Sequence, residues 1–214
     1  MKSNIFLQVI ISLSILLNAW QATAAPIAKQ DALEFANIRG EELLLSFQEP
    51  NLSIRYQKLD ALFNKYIDVD YIAKFVVGKY WRIMTAEQRE KYLSIFRRYG
   101  LAYYKTLPLD FAFNLTYKVL GAESDGKFTN VSALVHLNTQ SERPQDVNLM
   151  FRLHESGGII KAVDVKIAES SMLLAYRSKF YEMIAKNEEE IDWFLEDLED
   201  TTVAWEESLK QQQE

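Results

Sequence analysis

The spacing of apolar residues changes period twice along the chain. From Ile27, the residues Leu33, Phe35, Ile38, Leu43, Leu44 and Phe47 recur at helical intervals, and Pro50 stops the run. Ile54, Leu59, Leu62, Phe63 and Tyr66 predict a second helix over 52–66. Asp68 is placed to cap a short third helix carrying Ile72, Phe75 and Val76, and Gly78 to end it. Thr85-Ala-Glu-Gln88 reads as a capping box, in which each side chain accepts the other residue's backbone N–H. A long helix should follow to about Thr106, with Tyr92, Leu93, Ile95, Phe96, Tyr99 and Tyr103 on its apolar side, and Pro108 closes it.

The period then falls to two. Phe111, Phe113, Leu115, Tyr117 and Val119 alternate with smaller or more polar neighbours, as do Val131, Ala133, Val135 and Leu137, and then Val147, Leu149, Phe151 and Leu153. Ile159, Val163, Val165 and Ile167 form a fourth run. Turn chemistry separates the runs at Ser124-Asp125-Gly126, Ser141-Glu142-Arg143-Pro144 and Ser156-Gly157-Gly158. Helical spacing returns over 170–186 and 188–210. Helices, then strands, then helices predict an α+β fold: a four-stranded antiparallel meander with one apolar face, covered by the N-terminal and C-terminal helices. No repeat, low-complexity stretch or Pro/Gly-rich linker divides residues 25–214, which are read as one domain.

The first 24 residues stand apart. Lys2, a mostly apolar run from Ile5 to Leu17 and Ala22-Thr23-Ala24 have the order of a secretory signal peptide, cleaved near Ala24/Ala25. Export to the periplasm is the expected localisation. The chain has no cysteine and two histidines, which excludes a disulfide framework, a thiolate nucleophile and a multi-histidine metal site. His136 and His154 fall in the polar registers of their strands and are expected at the surface. Of a formal net charge of −6, residues 187–214 carry −10, with 11 acidic residues and one basic. The acidic C-terminal helix is either a solvated face or a dock for a positively charged partner. This balance argues against general nucleic-acid binding.

No phosphate loop, dinucleotide fingerprint, nucleophile elbow or His-Glu-x-x-His motif occurs. A proton-transfer site would have to recruit Asp110 and Tyr117, neither of which lies in a signature, so no catalytic residue is assigned. What the chain has in quantity is large apolar side chains, including 12 Phe, 11 Tyr and 4 Trp. Periodicity alone does not separate a solid core from an apolar cavity lined by the same residues.

Two blocks carry a resemblance. Val77-Gly78-Lys79-Tyr80-Trp81-Arg82, with Thr85-Ala-Glu-Gln-Arg89 and Tyr92-Leu-x-x-Phe96, is similar to the MlaC family, also called toluene-tolerance proteins. Asp164-Val165-x-Ile167, then Ser171 and Tyr176-Arg177-Ser178-x-Phe180, resembles that family's strand-to-helix junction. The order of elements agrees over roughly residues 30–200. The chain departs from the family at Ile160, where a tryptophan is common, and at Ala168-Glu169, where Glu-Gly is common. The resemblance implies a soluble periplasmic phospholipid carrier that maintains outer-membrane lipid asymmetry, with no catalysis and no cofactor besides its lipid cargo. It implies two partners: an inner-membrane ABC transporter complex with an MCE-domain ring, and an outer-membrane lipoprotein–porin complex. At about 0.8 kcal/mol per methylene, burying about 30 methylenes contributes at most about 24 kcal/mol, less the freedom lost on binding.

If the sheet lines the lipid cavity, one register of each strand points inward: Phe113, Leu115, Tyr117, Ala133, Val135, Leu149, Phe151, Val163 and Val165. Small Ala133 would leave room for an acyl chain. From the helices, Phe75, Trp81, Phe96, Tyr99, Tyr103, Met172, Leu173 and Tyr176 are the candidates. Lys79, Arg82 and Arg177 either meet a phosphate at the mouth or form internal ion pairs. The alternative for the whole chain is a protein-interaction module with a solid core and no lipid cargo.

Overall fold

The computed structural model of the chain describes residues 25–106, 115–137 and 145–211. Five helices come first: α1 (Lys29–Phe47), α2 (Leu52–Tyr66), α3 (Val69–Val77), α4 (Tyr80–Ile83) and α5 (Ala86–Lys105). Five strands follow: β1 (Leu115–Asp125), β2 (Phe128–Leu137), β3 (Gln145–Ser156), β4 (Ile159–Ile167) and β5 (Ser170–Ser171). Two helices close the chain, α6 (Met172–Lys186) and α7 (Ile191–Gln211). The signal segment, Phe111, Phe113 and the Ser141–Pro144 turn lie outside the described residues.

Side chains cap the starts of α2, α3, α5 and α6. Asn51 accepts from the Ile54 N–H and Asp68 from the Tyr71 N–H. Thr85 and Gln88 close the capping box in both directions. Gly78 ends α3 at φ +51°, ψ −111°, backbone that a Cβ disfavours. α4 is a single turn between Gly78 and the capping box, too short for a periodic pattern to register.

The strands pair antiparallel in the order β1-β2-β3-β4-β5. The fold class is α+β, with five strands rather than the expected four. Ala168 and Glu169 reverse the chain so that Ser170 and Ser171 pair with Ile167 and Lys166. Two serines carry no apolar alternation, so nothing in the pattern marks β5. A bulge between Val119 and Gly121 shifts the phase of β1, leaving Leu120 on the solvent side and turning Ala122 inward opposite Val131. A second irregularity at Arg152/Leu153 fits Val163 in as an extra residue on β4.

The apolar residues form two main cores. The larger is built mainly by helices: Val76 and Val77 of α3, Tyr92, Phe96 and Tyr99 of α5, Phe180 and Ile184 of α6, and Phe194, Leu195 and Leu198 of α7. Within it the Tyr92 hydroxyl donates to the Ala73 carbonyl, and burial holds that phenol far above its ordinary pKa. The second core lies under α1, where Ile27, Ala32 and Ala36 meet Val131 and Leu153 of the sheet. α1 packs on β1 and β2, while α2, α3 and α6 pack along β4.

The acidic terminal helix is partly tied inward. Arg98 of α5 donates to both carboxylate oxygens of Glu206, at 3.0 and 2.6 Å, and to Glu199 at 2.6 Å. Tyr80 donates to Glu189, and Gln88 to Asp192. One expectation is corrected here: His154 is not a surface histidine. Its Nε2 lies 2.8 Å from Asp68 Oδ2, and both side chains are mostly buried. The ring sits against Tyr71 and Phe128. The polar register of β3 faces the α2–α3 junction at this point instead of water. The Asp68 N–H also donates to the Ala162 carbonyl, so this junction joins the helices to the sheet.

Candidate functional site: an apolar sheet face between two cores

The strand register fixes which side chains share the inner face. Tyr117 opposes Val135, which opposes Val147. Val119, Ala133, Leu149 and Ile167 form the next row, and Val131, Phe151 and Val165 the third. Leu115, Tyr117, Val135, Val147, Leu149, Phe151 and Val165 are all half-buried. Apart from Phe151, these residues belong to neither main core. At this end of the sheet a contiguous apolar face is therefore incompletely covered, although each residue is of a type that packs fully when a neighbour is supplied.

Two helices frame the face. On one side α1 crosses β1 with Gly40 against the Tyr117 ring, where an added Cβ would overlap the ring atoms. The Tyr117 hydroxyl donates to the Ala36 carbonyl at 3.2 Å, and burial pushes its pKa up to about 12. That hydroxyl directs its proton to α1; Asp110 lies outside the described residues. On the other side α6 packs on β4, and Met172 and Tyr176, one turn apart, are half-buried. Tyr176 meets the edges of Tyr103 and Tyr99 of α5, with ring centroids 5.6 and 6.4 Å apart. Burial, with Tyr103 and Tyr99 adding to it, holds the Tyr176 phenol well above its usual range.

The remaining sequence candidates divide by location. Ala133 and Val163 are on the sheet but 1% exposed, so Ala133 is covered and opens no room of its own. Phe96, Tyr99 and Leu173 are interior residues of the helical core. Trp81 packs on Tyr92 with Arg89 and Lys74 over its ring, and Phe75 lies under Arg177. These two are brought to the helical body, not to the sheet face. Val119, Val147 and Ile167 share the face and were not singled out, although the same alternation contains them.

The three cation candidates do different things. Arg177 is an internal clasp: Nη1 donates to the Phe75 carbonyl and Nη2 to the Tyr181 hydroxyl, with the guanidinium over both rings. Lys79 stands 3.7 Å from Glu189 and over the Tyr80 ring, and its own N–H donates to Tyr181. Arg82 is exposed, and its carbonyl accepts from Arg89. The two sequence blocks thus meet: Gly78 of the first lies against Arg177 and Tyr181 just beyond the second's Tyr176-Arg177-Ser178-x-Phe180. Within the second block, Asp164 accepts from the Ser171 hydroxyl at 2.7 Å and the Leu173 N–H at 2.9 Å, fixing the start of α6 against β4.

A cleft of about 370 Å³ opens elsewhere, lined by Asp68, Asp70, Tyr71, Lys74, Arg97 and Lys161 among others. Its two carboxylates are already paired, Asp68 with His154 and Asp70 with Arg97. Among the described residues no group of three His, Cys, Asp or Glu side chains is placed to hold a metal ion, and no helix is long and apolar enough to cross a membrane.

A sheet backed by helices that leave its apolar face partly open defines a class of α+β fold. The same fold occurs in the phospholipid-binding protein from Ralstonia solanacearum, solved in complex with a phospholipid. The TM-score is 0.64 at 18% identity, over 83% of this chain and 99% of that one. The MlaC protein family matches residues 43–200, and the chain belongs to that family. A search of curated proteins gives no significant match.

Proposed function

We propose that this chain binds a phospholipid with its acyl chains against the sheet face bounded by Tyr117, Val135, Leu149, Phe151 and Val165. The observation that carries the reading is the division of the molecule into two cores with half-exposed apolar residues between them. A solid-core module of this composition gains by merging the two, because each buried methylene contributes roughly 0.8 kcal/mol. Two acyl chains are the complementary filling, and family membership supports the same reading. The chain is exported to the periplasm, its leader removed near Ala24/Ala25. There it shuttles lipid between an inner-membrane ABC transporter complex bearing an MCE-domain ring and an outer-membrane lipoprotein–porin complex, maintaining outer-membrane asymmetry. It performs no catalysis; the lipid is cargo.

The test is native mass spectrometry of the exported chain, purified without detergent from a bacterial periplasm. Adducts of phospholipid mass, recovered as phospholipid on denaturation, are expected. A lipid-free mass, with no uptake from added liposomes, would sink the carrier reading. A protein-interaction module using the acidic face of α7 would then stand in its place.

A further inference from the structure

Lys179 occupies an unusual setting. Its Nζ lies 5.4 Å from the Tyr99 ring centroid, 5.7 Å from Tyr103 and 5.3 Å from Trp205. These rings come from α5 and α7, whereas the lysine is on α6. Tyr99 and Tyr103 are parallel within 3°, and Trp205 packs against both. An ammonium that close to three ring faces is held by their quadrupoles, but ring faces leave its three N–H donors unused. Among the described residues Lys179 has no hydrogen bond or carboxylate partner. Acids are plentiful on α7, yet Glu206, beside Trp205, gives both oxygens to Arg98. Lys179 is exposed and sits one helical turn beyond Tyr176, in line with Met172 on α6, whose start is fixed against β4 by Asp164. The Tyr99 hydroxyl in the same ring set is buried without a partner among the described residues, a second donor left over at this corner.

We infer that Lys179, fixed in its box of three rings, is the cation that receives the phosphate of the bound lipid at the end of the apolar face. This inference rests on the carrier reading above and adds to it a recognition residue. The rings restrict a flexible side chain to one place, which reduces the entropy lost on binding an anion. They hold its charge without neutralising it, and a phosphate oxygen supplies the acceptor the donors lack. Arg177, engaged with Phe75 and Tyr181, is not available for this role.

The experiment compares the wild-type chain with Lys179→Met, which keeps a long apolar stem among the rings, and Lys179→Arg. Each is stripped of lipid and loaded from cyclodextrin with phosphatidylglycerol or with diacylglycerol of the same acyl chains, and the loaded fraction is read by native mass spectrometry. The wild type should prefer phosphatidylglycerol by roughly tenfold, as expected for a charge-assisted contact. Lys179→Met should bring that preference close to parity while diacylglycerol loading is unchanged, and Lys179→Arg should restore it. Retention of the full preference by Lys179→Met overturns the inference. So does equal loss of both lipids, which makes Lys179 a structural pin. A parallel titration with inorganic phosphate separates the sources: Lys179-dependent saturation without a Lys179-dependent lipid preference reassigns the site to free phosphate. If the wild type loads neither lipid, the carrier reading itself falls.

Discussion

Gly78→Ala is the sharpest test of how the two motif blocks are joined. The wild-type residue ends α3 at φ +51°, ψ −111°. A side chain in sparsely populated backbone of this kind costs about 1–3 kcal/mol. Space is short as well. A Cβ built at Gly78 would stand 2.5 Å from the Tyr181 hydroxyl, 2.7 Å from Arg177 Nη2 and 3.0 Å from its Cζ. Relief requires those groups to retreat, but Arg177 is bonded at 3.2 Å to the Phe75 carbonyl and at 3.0 Å to Tyr181. Losing one such partly buried, charge-assisted bond adds about 1.5–3 kcal/mol. The sum is about 2.5–6 kcal/mol, which for a chain of this size corresponds to a fall in Tm of roughly 5–24 °C. Urea unfolding should show a lower midpoint at unchanged slope. Tyr181→Phe separates the two contributions. In that background the hydroxyl overlap is gone, so Gly78→Ala should cost less than in the wild type, leaving mainly the backbone strain and the Arg177 overlap. A Gly78→Ala chain within about 1 kcal/mol of wild type would refute the argument that α3 and α6 need a residue without a Cβ here.

Three further outcomes follow from particular geometries. Ala168 holds φ +52° in the β4–β5 turn, so Ala168→Gly should stabilise by about 0.5–1 kcal/mol after the entropy of the added glycine is subtracted; a lower Tm would mean that the turn is unstrained. Burial acts to raise the Asp68 pKa, but bonds from the Tyr71 N–H, His154 and Ser156 outweigh it and hold the carboxyl below 3.8. Its stabilisation is therefore full above that value and disappears as pH falls through the depressed one. Asp68→Asn should lower the urea midpoint near neutral pH and lose less than wild type by about pH 3; parallel curves would exclude Asp68 from acid unfolding. Leu149→Trp projects from a half-buried position on the sheet face and should cut lipid loading with the fold intact. Ala133→Trp, at 1% exposure, should instead overpack the interior by about 1–3 kcal/mol. Unchanged loading in a folded Leu149→Trp chain would displace the proposed site.

The parts of the fold that depend on local chemistry were legible in the sequence. Asp68, Thr85 with Gln88, and Gly78 each act within three or four residues, and all three bound helices as their types require. Alternation gave the inner register of the strands because a pleated strand leaves a side chain two choices of face. What was not legible depends on partners distant in sequence. His154 reads as polar and outward until Asp68 arrives from the α2–α3 junction. Tyr117 and Tyr99 are the same residue type in equally regular patterns, yet one borders a half-open face and the other is an interior residue of the helical core. Lys179 is an ordinary helix lysine until Tyr103 and Trp205 converge on it from two other helices. The β1 bulge was hidden because Leu120, the residue on its outer side, continues the apolar run as if nothing had shifted.

A phospholipid seated on the half-open sheet face would also raise the stability of the folded chain. Leu115, Tyr117, Val135, Leu149 and Val165 lie half-buried on the sheet, so a lipid that covers them binds the folded chain and has little affinity for the unfolded one. Such a ligand stabilises by mass action, about 2.7 kcal/mol when its free concentration is a hundred times its Kd. For a domain of this size that is a rise in Tm of roughly 5–11 °C. The protection should also be local. Amides of β1 to β4 at the end carrying Tyr117, Val135 and Leu149 should exchange faster once lipid is removed. Those of α5 and α7, held by the helical core and by Arg98, should not change. Hydrogen exchange with and without lipid measures both regions in one experiment. Uniform protection over sheet and helices would mean that the lipid stabilises the whole molecule without seating on this face. No protection and no rise in Tm would mean that the half-open face is not where the lipid binds.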